Sequence, residues 1–581
     1  MSDGCATEVA LDQSERAVQR RLSLRTLIGR WWGESVVVAI ALLLWMPRLS
    51  GPIDLRWDAG VYYILGTSLA EGHGYRILSE PGAPEAIQYP PLLSAFVALH
   101  QHLLGSTEVA VVAPWLRLSY ATLFLLYGLV TLALARRYLC VGFAIVVVAL
   151  SSLQVNTLFM SDLLFTEVPF ALVGVLFALV AVETRSGLRP WMRETLSFIL
   201  AAAGFFLRTA GLALLAAWVL ESILRRRWRV AIGRGLVALL PVIAWQMHVI
   251  RVRGSYEYAH PAYEYQRAPY QFYNVSYAEN VVPTGSGHAD GIKSPASQLP
   301  KRLTMNLCRM GKRLGEGIST SEGYWRELLS ETQRRIFGRQ VIPLGIVLAP
   351  IVALSGLVII GVALFIRRRA WLMALIIMLP VGLICLTPWP GQFQRYLMPL
   401  TPFLAIAAML AFCETRAALR SADFGRPIKV LGQVVLAGLV VLAVIVQIYT
   451  AARIFYIRQQ EGAIFAGWRG AVGSHLFYVD PLWRGWEESV AWVEQHSSSD
   501  AIVATPYSHL CYLRTGHHAV SPPVESDPAQ ARRLLDSVPV SYVIVDRGYS
   551  LPAVENDSAD WRLIQSFEGT KLYERTVSVK P

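Results

Sequence analysis

Long apolar runs separated by arginine clusters dominate the sequence and set the solvent its fold must face. A helix that crosses a bilayer needs about twenty predominantly apolar residues. Runs of that kind recur at roughly 35–50, 115–135, 141–160, 166–182, 195–209, 211–224, 235–250, 342–366, 370–387, 396–414 and 430–452. They predict a polytopic α-helical membrane protein with about eleven spans. Composition agrees: 16% of the residues are charged, where a soluble domain carries about a quarter. The net charge of +12 does not point to nucleic acid, because the arginines cluster between apolar runs, as orientation in a membrane requires. Met1 to Arg30 is too polar for a signal peptide, so the first run is expected to stay in the membrane. The six cysteines show no CxxC spacing, and no metal or redox site follows from them.

Arginine clusters decide sidedness. Arg20, Arg21, Arg25 and Arg30 precede the first run, and further clusters lie at Arg136–Arg137, Arg185–Arg193, Arg225–Arg229, Arg367–Arg369 and Arg416–Lys429. With a helix break at Arg208, every cluster falls on one side, which the positive-inside rule makes cytoplasmic. Residues 1–34 are then a cytoplasmic segment, 35–452 the membrane domain, and 453–581 an exoplasmic domain. The exoplasmic side also receives a first loop at 51–114 and a long, tyrosine-rich loop at 251–341. Aromatics there suit an interface with lipid headgroups. Leu92–Leu104 is too short to cross and is expected to lie along the bilayer. In the tail, Ala501–Thr505 and Val540–Asp546 read as buried strands, and Trp486–His496 and Asp527–Ser537 as helices; alternation of this kind suggests a small α/β layer.

Asp54, Arg56 and Asp58 stand within five positions at a membrane edge, where ionisable groups are expensive and mark function. Asp58 is the leading candidate, ahead of an amphipathic helix at Ala59–Leu69; the competing reading is a helix N-cap. Asp162 and Glu167 form a second acidic site in a short turn between two runs. Arg395 stands at the exoplasmic start of a run without neighbouring cations. A guanidinium binds phosphate in a planar, bidentate way, so Arg395, with Arg208, is a candidate donor-phosphate ligand. Tyr62, Tyr75, Tyr89 and Tyr396, from the same segments, are the candidate substrate-binding aromatics. Carboxylates, arginines and aromatics on one membrane face suit transfer of a group from a lipid-borne phosphate ester. Such a reaction needs a base for the acceptor proton and cations for the departing phosphate.

These segments carry a family resemblance. The pattern D-x3-Y-x7-A-x-G-x-G-Y (Asp58, Tyr62, Ala70, Gly72, Gly74, Tyr75), the Thr166-Glu167-x-Pro169 turn and the Arg395-Tyr396-Leu397-x-Pro399-x-x-Pro402 segment, in this order and sidedness, resemble the GT-C superfamily of integral membrane glycosyltransferases. Within it, the chain resembles the bacterial relatives of protein O-mannosyltransferases and of the aminoarabinose transferase acting on lipid A. The resemblance implies a GT-C fold and an inverting transferase that moves a hexose or pentose from a polyprenyl-phosphate sugar to an acceptor glycan, lipid or protein. The site would be on the exoplasmic face of a membrane, taken as a bacterial inner membrane. Asp58 would be the catalytic base, Asp162 or Glu167 a second acidic group, and Arg395 a phosphate ligand. Some members bind a divalent metal, but the sequence requires no cofactor and shows no ligand cluster that would demand a metal. Ala59 follows Asp58 where mannosyltransferases of the eukaryotic type have a second acid, which argues against a close protein O-mannosyltransferase. The alternative class is a transporter or flippase of lipid-linked sugars. It would need charges deep in paired or broken helices, whereas here the charges collect at one face.

Overall fold

The computed structural model describes residues 31–49, 51–182, 189–281, 298–423, 425–461, 464–465, 474–475, 482–546, 550–567 and 569–576. Arg20, Arg21, Arg25, Arg30 and Arg185 lie outside them.

Helices occupy every one of the apolar runs. Among the described residues five are long and apolar enough to cross a membrane: Val109–Ala135, Trp228–Arg253, Leu344–Arg367, Pro390–Ser421 and Arg426–Ile457. The run at 141–160 is a bent pair, Val141–Ser152 and Val155–Asp162, meeting at 57°. The second member restarts with Gln154, whose side chain accepts from the Thr157 amide at 2.9 Å, capping a helix start that would otherwise leave amides unpaired. Glu167–Ala181, Thr209–Leu224 and Trp371–Leu386 are shorter apolar helices. The chain is thus a multi-pass integral membrane protein. Leu92–Leu104 forms as a helix with the expected bounds.

Helices in this bundle approach through small residues, as is usual where lipid offers no hydrophobic drive for association. A Cβ on Gly361 would sit 2.0 Å from the Ala407 carbonyl oxygen, so Leu348–Arg367 and Thr401–Ser421 pack at a distance only glycine permits. The break at Arg208 is present: Pro190–Leu207 ends there, and a 3-10 turn at Thr209–Gly211 leads into Leu212–Leu224.

Three expectations are corrected. Segment 251–341 is not simply a loop: it contains the helices Gln298–Gly317 and Glu322–Phe337. The first packs on Leu348–Arg367, with the Gly315 amide donating to Ser355 Oγ at 2.7 Å. Its tyrosines are not mainly a lipid-facing belt, because Tyr263 and Tyr265 are buried in the core of the tail domain while Tyr256 is exposed. Finally, the helix after the first apolar run, Asp58–Ala70, is not amphipathic, since nine of its thirteen residues are buried. Leu92–Leu104 covers one side, and a Cβ on Gly66 would meet Val97 Cβ at 2.7 Å. The tail-domain helix Ser508–Thr515 covers another; a Cβ on Gly60 would meet His509 Cβ and Leu513 Cδ1, both at 3.5 Å.

The helix Arg426–Glu461 continues past residue 453. The tail beyond it carries a five-stranded sheet in the order Ala519–Val520, Ile502–Ala504, Val540–Asp546, Thr570–Arg575, Trp561–Phe567. The first three strands are parallel and the last two add antiparallel. Helices Ser508–Thr515 and Pro528–Asp536 make the two crossovers, and Leu482–His496 packs Trp486 into the core with its indole donating to Thr505 Oγ1 at 2.9 Å. The expected α/β layer is therefore present, larger by three strands than the sequence reading.

Candidate active site

The first exoplasmic segment is stitched to the turn between two membrane helices. The Asp54 amide donates to the Asp162 carbonyl at 3.0 Å, and the Leu164 amide donates back to the Asp54 carbonyl at 3.1 Å. This pairing brings the start of Asp58–Ala70 beside the start of Glu167–Ala181. Asp54 itself is buried in an ion pair with Arg56, and the Arg56 guanidinium lies over the rings of Trp57 (4.8 Å) and the tail-domain Trp483 (5.2 Å).

Trp57 has φ 56° and ψ −134°, an outlier for a bulky residue. Such a conformation costs on the order of 1–3 kcal/mol and persists only where packing imposes it. Here Phe159 and Trp483 hold the indole edge-to-face, each at 5.8 Å. The strained residue turns the chain so that Asp58 opens the helix. Asp58 is not the N-cap. That position is Trp57, without a side-chain capping bond, and the Asp58 carboxylate is used elsewhere.

It faces a cavity of about 530 Å³ lined by Asp58, Tyr62, Tyr89, Arg208, Tyr273 and Arg395, among others. Arg395 Nη2 donates to Asp58 Oδ2 at 2.7 Å and Arg395 Nε to Glu167 Oε1 at 2.6 Å. Arg208 Nη1 pairs with the same Glu167 oxygen at 2.8 Å. The Phe165 ring lies under the Arg395 guanidinium at 4.4 Å, and the Tyr396 ring faces Arg208 at 5.5 Å. On the other Asp58 oxygen, Tyr273 donates its hydroxyl to Oδ1 at 2.9 Å. Burial, reinforced by the Asp58 charge, pushes the Tyr273 phenol well above its ordinary pKa, so it remains a donor. Tyr62, Tyr89 and Tyr273 form a chain of rings, with centroids 4.9 and 6.0 Å apart.

Of the residues singled out in the sequence, Asp58, Arg208, Arg395, Tyr62, Tyr89 and Tyr396 share this cavity. Glu167 is fully buried behind the two guanidinium groups, where it orients them and does not line the space. Asp162 is buried at 3.5 Å from Arg117, outside the cavity lining. Tyr75 donates to the Tyr89 carbonyl at 3.0 Å and braces the loop. Arg395 stands without neighbouring cations in the sequence, but in the fold Arg208 shares Glu167 with it, and Asp58 also holds it. Tyr273 was missed; its only signal was membership of a tyrosine-rich stretch.

No protein-family model matches the chain, and no curated protein is similar to it in sequence. Solved structures are similar in fold. The archaeal oligosaccharyltransferase AglB from Archaeoglobus fulgidus, in complex with an inhibitory peptide and a dolichol-phosphate, superposes with a TM-score of 0.50 at 11% identity, over 89% of this chain and 70% of that one. The chain shares the fold of that protein. ArnT from Cupriavidus metallidurans bound to undecaprenyl phosphate aligns over 94% of this chain and 98% of its own, at 12% identity and a TM-score of 0.49.

Asp58 and Glu167 are both engaged by guanidinium groups, and among the described residues no group of three or more His, Cys, Asp or Glu is placed to hold a metal. Two carboxylates and two guanidinium groups balance in charge, and the neutral cluster is open on the side of Asp58, Arg208 and Arg395. It can hold a phosphate and accept a proton within one space.

Proposed function

We propose that the protein is an inverting glycosyltransferase that moves a hexose or pentose from a polyprenyl-phosphate donor to a hydroxyl or amine of an acceptor lipid, glycan or protein. The site faces the exoplasmic side of a bacterial inner membrane, with the N-terminus cytoplasmic, the tail domain exoplasmic and about eleven spans between. The observation that carries this reading is the direct contact of Asp58 with Arg395 beside Arg208 in one cavity. The fold it shares with AglB, which was solved with a dolichol-phosphate, is consistent with a lipid-phosphate donor.

In this reading the proton and the phosphate are linked. A donor phosphate would displace Asp58 from Arg395 and sit between the Arg395 and Arg208 guanidinium groups, which Glu167 holds in place. Asp58, released and still steadied by Tyr273, would face the acceptor O–H or N–H. As the acceptor attacks the anomeric carbon, its proton passes to Asp58 and the glycosidic C–O bond to phosphate breaks with its electron pair on the phosphate. The leaving phosphate gains negative charge as Asp58 loses it, and Arg395 and Arg208, already on the phosphate, stabilise that charge as it develops. Nothing in this sequence requires a strong acid, because phosphate is already a good leaving group.

The test is a labelled polyprenyl-phosphate hexose and pentose presented to the full-length protein in sealed proteoliposomes with membrane extract as the acceptor source. Transfer of label to an acceptor, with release of polyprenyl phosphate, is the expected result. Movement of intact donor across the bilayer without cleavage would assign the protein to the transporters instead.

A further inference from the structure

A tail-domain side chain packs directly behind the residue that holds Asp58. His509, in the helix Ser508–Thr515, is buried at 5% exposure. Its ring meets the Tyr273 ring edge-to-face with centroids 4.7 Å apart, and Nδ1 lies 2.7 Å from Ser79 Oγ. The neighbouring backbone is tied in the same way, with the Ala519 amide donating to the Ser79 carbonyl at 2.8 Å. On its far side Tyr273 donates to Asp58. A line therefore runs from the tail-domain sheet through His509 and Tyr273 to the carboxylate.

The Tyr273 hydroxyl reaches past its ring to one particular oxygen, Oδ1, leaving Oδ2 for Arg395. When a phosphate takes Arg395, Tyr273 is the contact that keeps the carboxylate directed into the cavity. Burial holds the His509 imidazole neutral, pushing its pKa down to about 4, so it packs against the phenol as an uncharged ring.

We propose that Tyr273 is the positioning residue of the Asp58 base and that His509, supplied by the tail domain, fixes Tyr273, so that the tail domain is part of the frame of the active site. This rests on the reading of Asp58 as the base. It goes beyond the assignment of a donor site, because it gives the tail domain a role in turnover separate from acceptor or donor binding.

The experiment is a double-mutant cycle in the full-length protein, using Tyr273→Phe, His509→Ala and the combination, with labelled polyprenyl-phosphate hexose and pentose as donors. Tyr273→Phe keeps the ring and removes the hydroxyl; kcat should fall roughly tenfold, the scale of losing one orienting hydrogen bond, with KM for the donor within about twofold. His509→Ala should lower kcat severalfold, and the double variant should be no slower than Tyr273→Phe, because the two act in series. His509→Phe, which restores a ring, should recover most of the loss. Hydrogen–deuterium exchange at the first turn of Asp58–Ala70, read without donor, should rise in both single variants and no further in the double. Independent, additive losses, or an unchanged kcat in Tyr273→Phe, would overturn the proposal while leaving the base assignment intact if Asp58→Asn is inactive. Normal transfer by Asp58→Asn would instead remove the base assignment on which it rests.

Discussion

Arg395 and Asp58 meet at 2.7 Å, so the group proposed to hold the donor phosphate is already held by the group proposed to take the acceptor proton. An anion and a base compete for one guanidinium, with a second acid behind it.

Glu167 balances two cations from a fully buried position. Removing its charge leaves two guanidinium groups without their common partner, and breaking a buried pair in this way costs about 3–5 kcal/mol. Glu167→Gln is expected to lower the thermal midpoint in detergent by more than Asp58→Asn does. It is also expected to recover part of that loss when inorganic phosphate is added, because the anion replaces the missing charge. Equal midpoints for the two variants would argue that Glu167 does not organise the arginines.

Arg395→Lys keeps the charge but loses the fork that reaches Asp58 through Nη2 and Glu167 through Nε. An ammonium is a point donor and cannot span both groups. Affinity for polyprenyl phosphate, measured by isothermal titration, is expected to fall roughly tenfold, about 1.4 kcal/mol, with the circular dichroism spectrum unchanged. Arg208→Lys should have a smaller effect, since Arg208 pairs by charge with one acid oxygen and spans no second group. Unchanged affinity in Arg395→Lys would count against the phosphate assignment.

His509 sets a pH limit. Burial disfavours its charged form, with the Asp58 charge opposing weakly, and its pKa drops from 6.5 to about 4. The groups around it are Ser79, Tyr273 and Asp58. An unfolded chain binds the proton more readily than the folded one between these values, so this contribution to stability is complete above about pH 6.5 and is lost as pH falls through about 4. The thermal midpoint should decline over that window, and His509→Phe should flatten the decline. A midpoint that falls as steeply in the variant would place the sensitive group elsewhere.

Much of this architecture was legible in the sequence because hydrocarbon leaves few alternatives. Each apolar run became a helix, and the break at Arg208 appeared where the arginine pattern needed it. The bend at Leu153 was not legible, since a helix restart capped by one glutamine leaves the hydropathy of the run intact. Asp58, Arg208 and Arg395, which line one cavity, stood out in the sequence because charge at a membrane edge is rare enough to be a signal. Asp162 gave the same signal and is paired with Arg117 away from the cavity, which shows that the signal marks buried charge and does not distinguish a brace from a site. Tyr273 and His509 lie 215 and 451 positions from Asp58 in the chain. Their meeting depends on how the tail domain docks, and no local pattern reports that.

The most direct test of the central claim is Asp58→Asn, with transfer from a labelled polyprenyl-phosphate sugar and binding of unlabelled polyprenyl phosphate measured on the same preparation. Asparagine keeps the shape and the hydrogen bond from Tyr273 but cannot take a proton, and it no longer competes as an anion for Arg395. Turnover should fall roughly a hundredfold or more, while polyprenyl phosphate should bind a fewfold more tightly. Near-normal turnover, or turnover lost together with phosphate binding, would contradict the account.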